Sequence, residues 1–160
     1  MNPRITSLAP KHLVGTSLEM SLVNNKTFEL FSGFMPRRKQ IQNTISDDVY
    51  EVLAYDDSYF KDFSPTNPFT KWATLEVSTS NNCPKGMKPY TLEGGLYAVF
   101  NYKGSTKDFS QFIGAIFMEW LPSSDYQLDQ RAHFNVLGSK YKNNDPNSEE
   151  AVWIPIEEKN

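Results

Sequence analysis

The sequence predicts an α+β fold of two related strand–helix–strand–strand units, packed about a pseudo-twofold axis with antiparallel sheets and a central cleft. Three observations predict it: an internal repeat, a helical apolar spacing between strand-like runs in each copy, and the composition of one globular domain. The repeat is explicit. Lys26, Phe28, Phe31 and Gly33 recur 81 positions later as Lys107, Phe109, Phe112 and Gly114, and Trp72 recurs at the same offset as Trp153. Tyr50-Glu51-Val52-Leu53-Ala54 lies over Phe134-Asn135-Val136-Leu137-Gly138 at an offset of 84, a loop difference of three residues. Blocks recurring in one order mark a duplicated unit, here residues 1–84 and 85–160 of a single domain.

In the second copy, Gly95 to Tyr102 is rich in aromatic and β-branched residues and predicts a strand. Ser105 to Asp108 offers helix-capping chemistry before apolar residues at Phe109, Phe112, Ile113, Ile116, Phe117 and Trp120. Pro122 and Ser123-Ser124 end that helix, and His133–Gly138 and Ala151–Ile156 supply two more strands. In the first copy His12–Met20, Thr27–Gln42, Val49–Tyr55 and Lys71–Ser78 take the same four places. Pro36 interrupts the helix, by a kink or by the start of a second one.

Strand alternation then assigns faces. Val152, Ile154 and Ile156 point to the helix and Trp153 away from it; Ala73, Leu75 and Val77 point to the helix, and Trp72, Thr74 and Glu76 away. In the middle strands, Phe134, Val136, Tyr50 and Val52 are expected on the helix side, leaving His133, Asn135, Leu137, Val49, Glu51 and Leu53 opposite. Glu51, Trp72, Thr74, His133, Asn135 and Trp153 are thus expected to converge, away from the helices, on an aromatic-walled cleft with few polar groups, the usual form of a ligand site.

Composition narrows the function. Hydrophobic residues make up 39% and charged residues 22% of the 160, so one core buries roughly two-thirds of the unfolded surface. A net charge of −3 disfavours a nucleic-acid binder, and Arg37-Arg38-Lys39 reads as a solvated helix face. One cysteine, Cys83, excludes an internal disulfide, and two histidines leave little for a metal site. Neither a signal peptide nor a membrane span is visible, so the cytoplasm is expected. Gly94-Gly95 precedes a strand, unlike a phosphate-binding loop. No catalytic residue, metal or cofactor is expected.

Several blocks carry a family resemblance: Gly95-Leu96-Tyr97-Ala98-Val99-Phe100, Gly104, Glu119-Trp120-Leu121-Pro122 followed by Ser124 and Tyr126, and Trp153-Ile154-Pro155-Ile156. They resemble the effector-binding domains of the gyrase-inhibitor-like (GyrI-like) proteins and of multidrug-responsive and AraC-type transcription regulators. Ile41-Gln42-Asn43 and Tyr50-Glu51-Val52-Leu53 are similar to the single-domain branch, including integron-associated proteins. The resemblance implies a duplicated SHS2-like fold with a cleft between the halves that takes lipophilic, often cationic, molecules. Where the regulators carry a glutamate on the third strand of the second half, this chain has Asn135. Glu51, its counterpart in the first copy, is the candidate to supply the charge.

The functional expectation is a stand-alone small-molecule-binding protein without its own DNA-binding domain and without direct contact to nucleic acid or membrane. Two alternatives stand beside it. One is a protein-interaction inhibitor contacting its partner through Glu149-Glu150 and Glu157-Glu158; the other is a small hydrolase using Glu51 in the same cleft.

Overall fold

The structure, a computed structural model, describes residues 1–160. Nine strands and two main helices follow in the order β1 (Arg4–Leu8), β2 (Lys11–Met20), α1 (Thr27–Phe34), β3 (Thr44–Ala54), β4 (Phe69–Val77), β5 (Lys88–Leu92), β6 (Gly95–Lys103), α2 (Thr106–Ala115), β7 (Tyr126–Leu128), β8 (His133–Leu137) and β9 (Glu149–Glu158). β1, β5 and β7 were not foreseen. Eight strands form one sheet ordered β1-β6-β9-β8-β3-β4-β2-β5, with β7 paired to the far end of β9. Every pairing is antiparallel. The two expected sheets are therefore one, joined where β3 meets β8.

Both helices lie on one face. α1 buries Leu30 and Phe34 against Val14, Ala73, Leu75 and Val77, while Phe109, Phe112 and Ile113 of α2 pack on Phe100, Val152, Ile154 and Ile156. The Pro36 problem is resolved by a second helical segment: α1 stops at Phe34, and a 3₁₀ stretch over Met35–Gln40 begins with the proline in its first turn. There the missing N–H of proline costs no hydrogen bond. α2 passes into a single π-turn, Ile116–Trp120, and a last turn, Leu121–Ser123.

The other face is also buried. Leu13 of β2, Leu92 of β5, Val52 of β3, Tyr97 of β6 and Phe134 of β8 form one apolar cluster, each at most 1% exposed. Strands from opposite ends of the sheet share that cluster, so the sheet curls around it and fills its own concave side. Gly15 shows how tight the curl is: a Cβ there would lie 1.9 Å from the carbonyl oxygen of Ala73.

This curl corrects the expected faces of the middle strands. Tyr50 is paired with Thr74, Val52 with Trp72 and Phe134 with Trp153, which puts Tyr50, Val52, Phe134 and Val136 on the concave side. Glu51 is paired with Ala73 and with Asn135, which in turn is paired with Val152, on the helix side. Alternation identifies the helix face only when the other face meets water. Here both faces are apolar.

Candidate ligand site

Between the two helices a furrow follows the β3–β8 junction. The core under α1 and the core under α2 flank it, and Glu51, Asn135 and His133 belong to neither. Of the six residues expected to converge, the structure brings together these three. Trp72, Thr74 and Trp153 lie on the concave face: Trp72 packs against Tyr90, the Thr74 hydroxyl donates to the carbonyl of Tyr50 (2.9 Å), and Trp153 stacks on Phe134 (5.0 Å). The indole N–H of Trp153 is buried without a partner.

At the centre of the furrow, Asn135 Nδ2 donates to Glu51 Oε1 (2.8 Å), joining the two halves by their paired strands. Lys71 Nζ sits 3.6 Å from Glu51 Oε2 and donates to Thr27 Oγ1 (2.8 Å) at the start of α1. Glu150 enters the same neighbourhood from β9. Burial first, and then the charge of Glu51, push its carboxyl up to about 7, against the opposing pull of Lys71. Tyr141, on the β8–β9 loop, is held above its ordinary range by burial and by Glu150 and Glu51.

One end of the furrow is aromatic. The β3–β4 loop brings Phe60 against both Phe117 (5.5 Å, 26°) and His133 (5.5 Å, 22°), which also meet each other (6.1 Å), and Tyr55 meets His133 edge-on (4.9 Å). The π-turn, a common device at functional sites, lets Phe117 reach the furrow while Ile116 stays fully buried in the core. His133 is 6% exposed; burial, reinforced by the nearby Arg131, pushes its imidazole down to about 3, so it stays neutral. A cavity of about 180 Å³, lined by Tyr55, Phe60, Asp129, Arg131 and His133 among others, opens at this end.

Sequence reasoning missed Lys71, Glu150, Tyr55, Phe117 and Tyr141 as site residues. The readable signal was charge: Glu51, Lys71 and Glu150 stand in three strands that hold the interior together. The alternative reading, a protein-interaction inhibitor, groups Glu150 with Glu149, Glu157 and Glu158 as a contact surface. Of these, Glu150 points to the helix side with Val152, half-buried, while Glu157 and Glu158 are exposed.

The molecule is thus an α+β domain, one antiparallel sheet with two helices on one face and a cluster of polar side chains between them. The chain belongs to the GyrI-like small molecule binding domain family, which matches residues 1–157. No curated protein matches it in sequence. Solved structures share its fold. SAV2435, determined bound to tetraphenylphosphonium, is 16% identical with a TM-score of 0.66 over 98% of this chain and 94% of that one. An integron cassette protein of Vibrio cholerae is 12% identical with a TM-score of 0.64 (97% and 95% covered). EcmrR, seen in a complex with DNA, is 11% identical with a TM-score of 0.70, over 99% of this chain and 58% of that one. No helix of this chain is long and apolar enough to cross a membrane.

Proposed function

We propose that the furrow binds a lipophilic organic cation, with Glu51, His133 and Asn135 as ligand-binding residues. The observation that carries this reading is the placement of two carboxylates, Glu51 and Glu150, on the same sheet face as the aromatic cluster of Phe60, Phe117 and His133. Poorly solvated carboxylates attract a positive charge, and ring faces add roughly 0.5–2 kcal/mol each through cation–π contact. The ligand bound by SAV2435 belongs to this chemical class, which supports the reading. Trp72, Thr74 and Trp153 are assigned to the concave interior instead.

The duplicated origin of the fold belongs to the same reading. The strand order sets β6-β9-β8 beside β3-β4-β2, with one helix over each trio, as two copies of one unit about the β3–β8 seam would. What these 160 residues supply is the binding function; any coupling to transcription would come from another polypeptide segment.

Isothermal titration with tetraphenylphosphonium and with its anionic isostere tetraphenylborate tests the proposal. The expected result is saturable micromolar binding of the cation, at least tenfold tighter than of the anion, and weakened several-fold in Phe117→Ala. Equal affinity for both ions would remove the carboxylates from the account. Absence of binding by the folded protein would favour a protein partner.

A further inference from the structure

Glu51 is the obvious anion for such a ligand, yet it is already engaged. Its two oxygens meet the amide of Asn135 and the ammonium of Lys71, and Lys71 is itself anchored on Thr27. The ion pair is well shielded, its side chains 12% and 13% exposed. Breaking it would leave a poorly solvated charge unpaired.

Glu150 stands otherwise. β9 pairs with β8 so that Ala151 faces Val136, which brings Glu150 beside Leu137, diagonally across the sheet from Glu51 and on the same face. Its carboxylate makes no side-chain hydrogen bond and no ion pair. The titratable groups around it are Glu51 on β3, Lys71 on β4, Tyr102, its cross-strand partner on β6, and Tyr141 on the loop above. Only Lys71 is cationic, and it is committed to Glu51.

Resting on the furrow reading, we propose that Glu150, and not Glu51, is the carboxylate that meets the ligand's positive charge. Two carboxylates and one ammonium leave the cluster one positive charge short when Glu150 is ionised. In the free protein a proton supplies that charge: burial and the neighbouring Glu51 hold the Glu150 carboxyl to about 7, so it is protonated about half the time near neutrality. A ligand cation takes the place of the proton, which leaves to solvent. Binding is therefore linked to proton release and strengthens as the pH rises through 7. The ionised fraction grows about tenfold between pH 6 and pH 8, and the affinity for a permanent cation grows with it.

The test is titration calorimetry with tetraphenylphosphonium at pH 6, 7 and 8, in buffers of differing ionisation heat, on folded proteins verified by circular dichroism. Wild type should tighten about tenfold across this range and release about half a proton per ligand at pH 7. Glu150→Gln should bind more weakly, with a flat pH profile, and Glu150→Asp should keep the slope. Retention of affinity and slope in Glu150→Gln would overturn the assignment while leaving the furrow as the site. Absence of binding by wild type would overturn the furrow reading and this one with it.

Discussion

His133 and Glu150 hold opposite protonation debts in the same furrow. His133 has a folded value near 3 against an ordinary 6.5, so the unfolded chain binds a proton that the fold refuses. Its stabilising contribution is complete above pH 6.5 and is lost on acidification, by about 1.4 kcal/mol per pH unit. Glu150 runs the other way, its carboxyl raised from 4.5 to about 7. Its contribution is complete below pH 4.5 and is lost as the pH rises through 7. The two offset each other between about pH 4.5 and 6.5. Glu150→Gln should therefore stabilise the protein at pH 8, by roughly 2 kcal/mol, with little change at pH 4. His133→Phe, which keeps the stack with Phe60, should flatten the loss of Tm between pH 4.5 and 3.5. Thermal melts across pH 3–8 read both. Arg131 plays a plainer part at the furrow's end. Its guanidinium donates to Asp129 (2.6 Å) and to the carbonyls of Leu96 (2.6 Å) and Ile156 (3.2 Å), and lies over Tyr97 (4.6 Å). A lysine cannot reproduce that planar fork. Arg131→Lys should cost about 2–3 kcal/mol in denaturant melts, nearly as much as Arg131→Met.

At the level of elements, most of the order was legible because the helices and principal strands carry strong local signals. The apolar spacing from Phe109 to Trp120 gave a helix, and Pro36 marked where the first helix had to change. β1 and β5 are five residues each at the two margins of the sheet, too short and too polar for alternation to reveal them. The faces of β3 and β8 were misread for a definite reason. Tyr50, Val52, Phe134 and Val136 are expected against the helices, but they fill the concave side, while Val49, Leu53 and Leu137 pack with the core under α1. That error sent Glu51, Asn135 and His133 to the wrong face while keeping them together. The long β3–β4 loop is an element in its own right: Tyr55, Tyr59, Phe60 and Phe69 interlock at centroid distances of 4.4–5.9 Å. Phe60 packs on both Phe117 and His133 while still 38% exposed. Phe60→Ala should therefore speed association of tetraphenylphosphonium several-fold in stopped-flow traces, with a stability cost of only about 1–2 kcal/mol. Gly15 tests the close approach of β2 and β4. Gly15→Ala should destabilise by roughly 3 kcal/mol, since the carbonyl of Ala73 occupies the space its methyl needs.

The whole molecule is a curled sheet with an apolar interior on one side and two helices on the other. The curl gives the concave residues their burial without a second layer, leaving the helix side free to hold a polar furrow between α1 and α2. The same division separates the two chemistries that the sequence had merged. Trp72 and Trp153 pack on the concave face, and Glu51, Lys71, Asn135, His133 and Glu150 lie on the helix face, where the binding is proposed. The most direct test of that division is a ¹H–¹⁵N NMR titration with tetraphenylphosphonium. The account predicts that the largest shifts fall on the amides of Glu51, His133, Asn135 and Glu150 and of the Phe117 and Tyr141 segments, with the indole signals of Trp72 and Trp153 unmoved. Large shifts of those two indoles, with the furrow amides unchanged, would place the ligand on the concave face and contradict it.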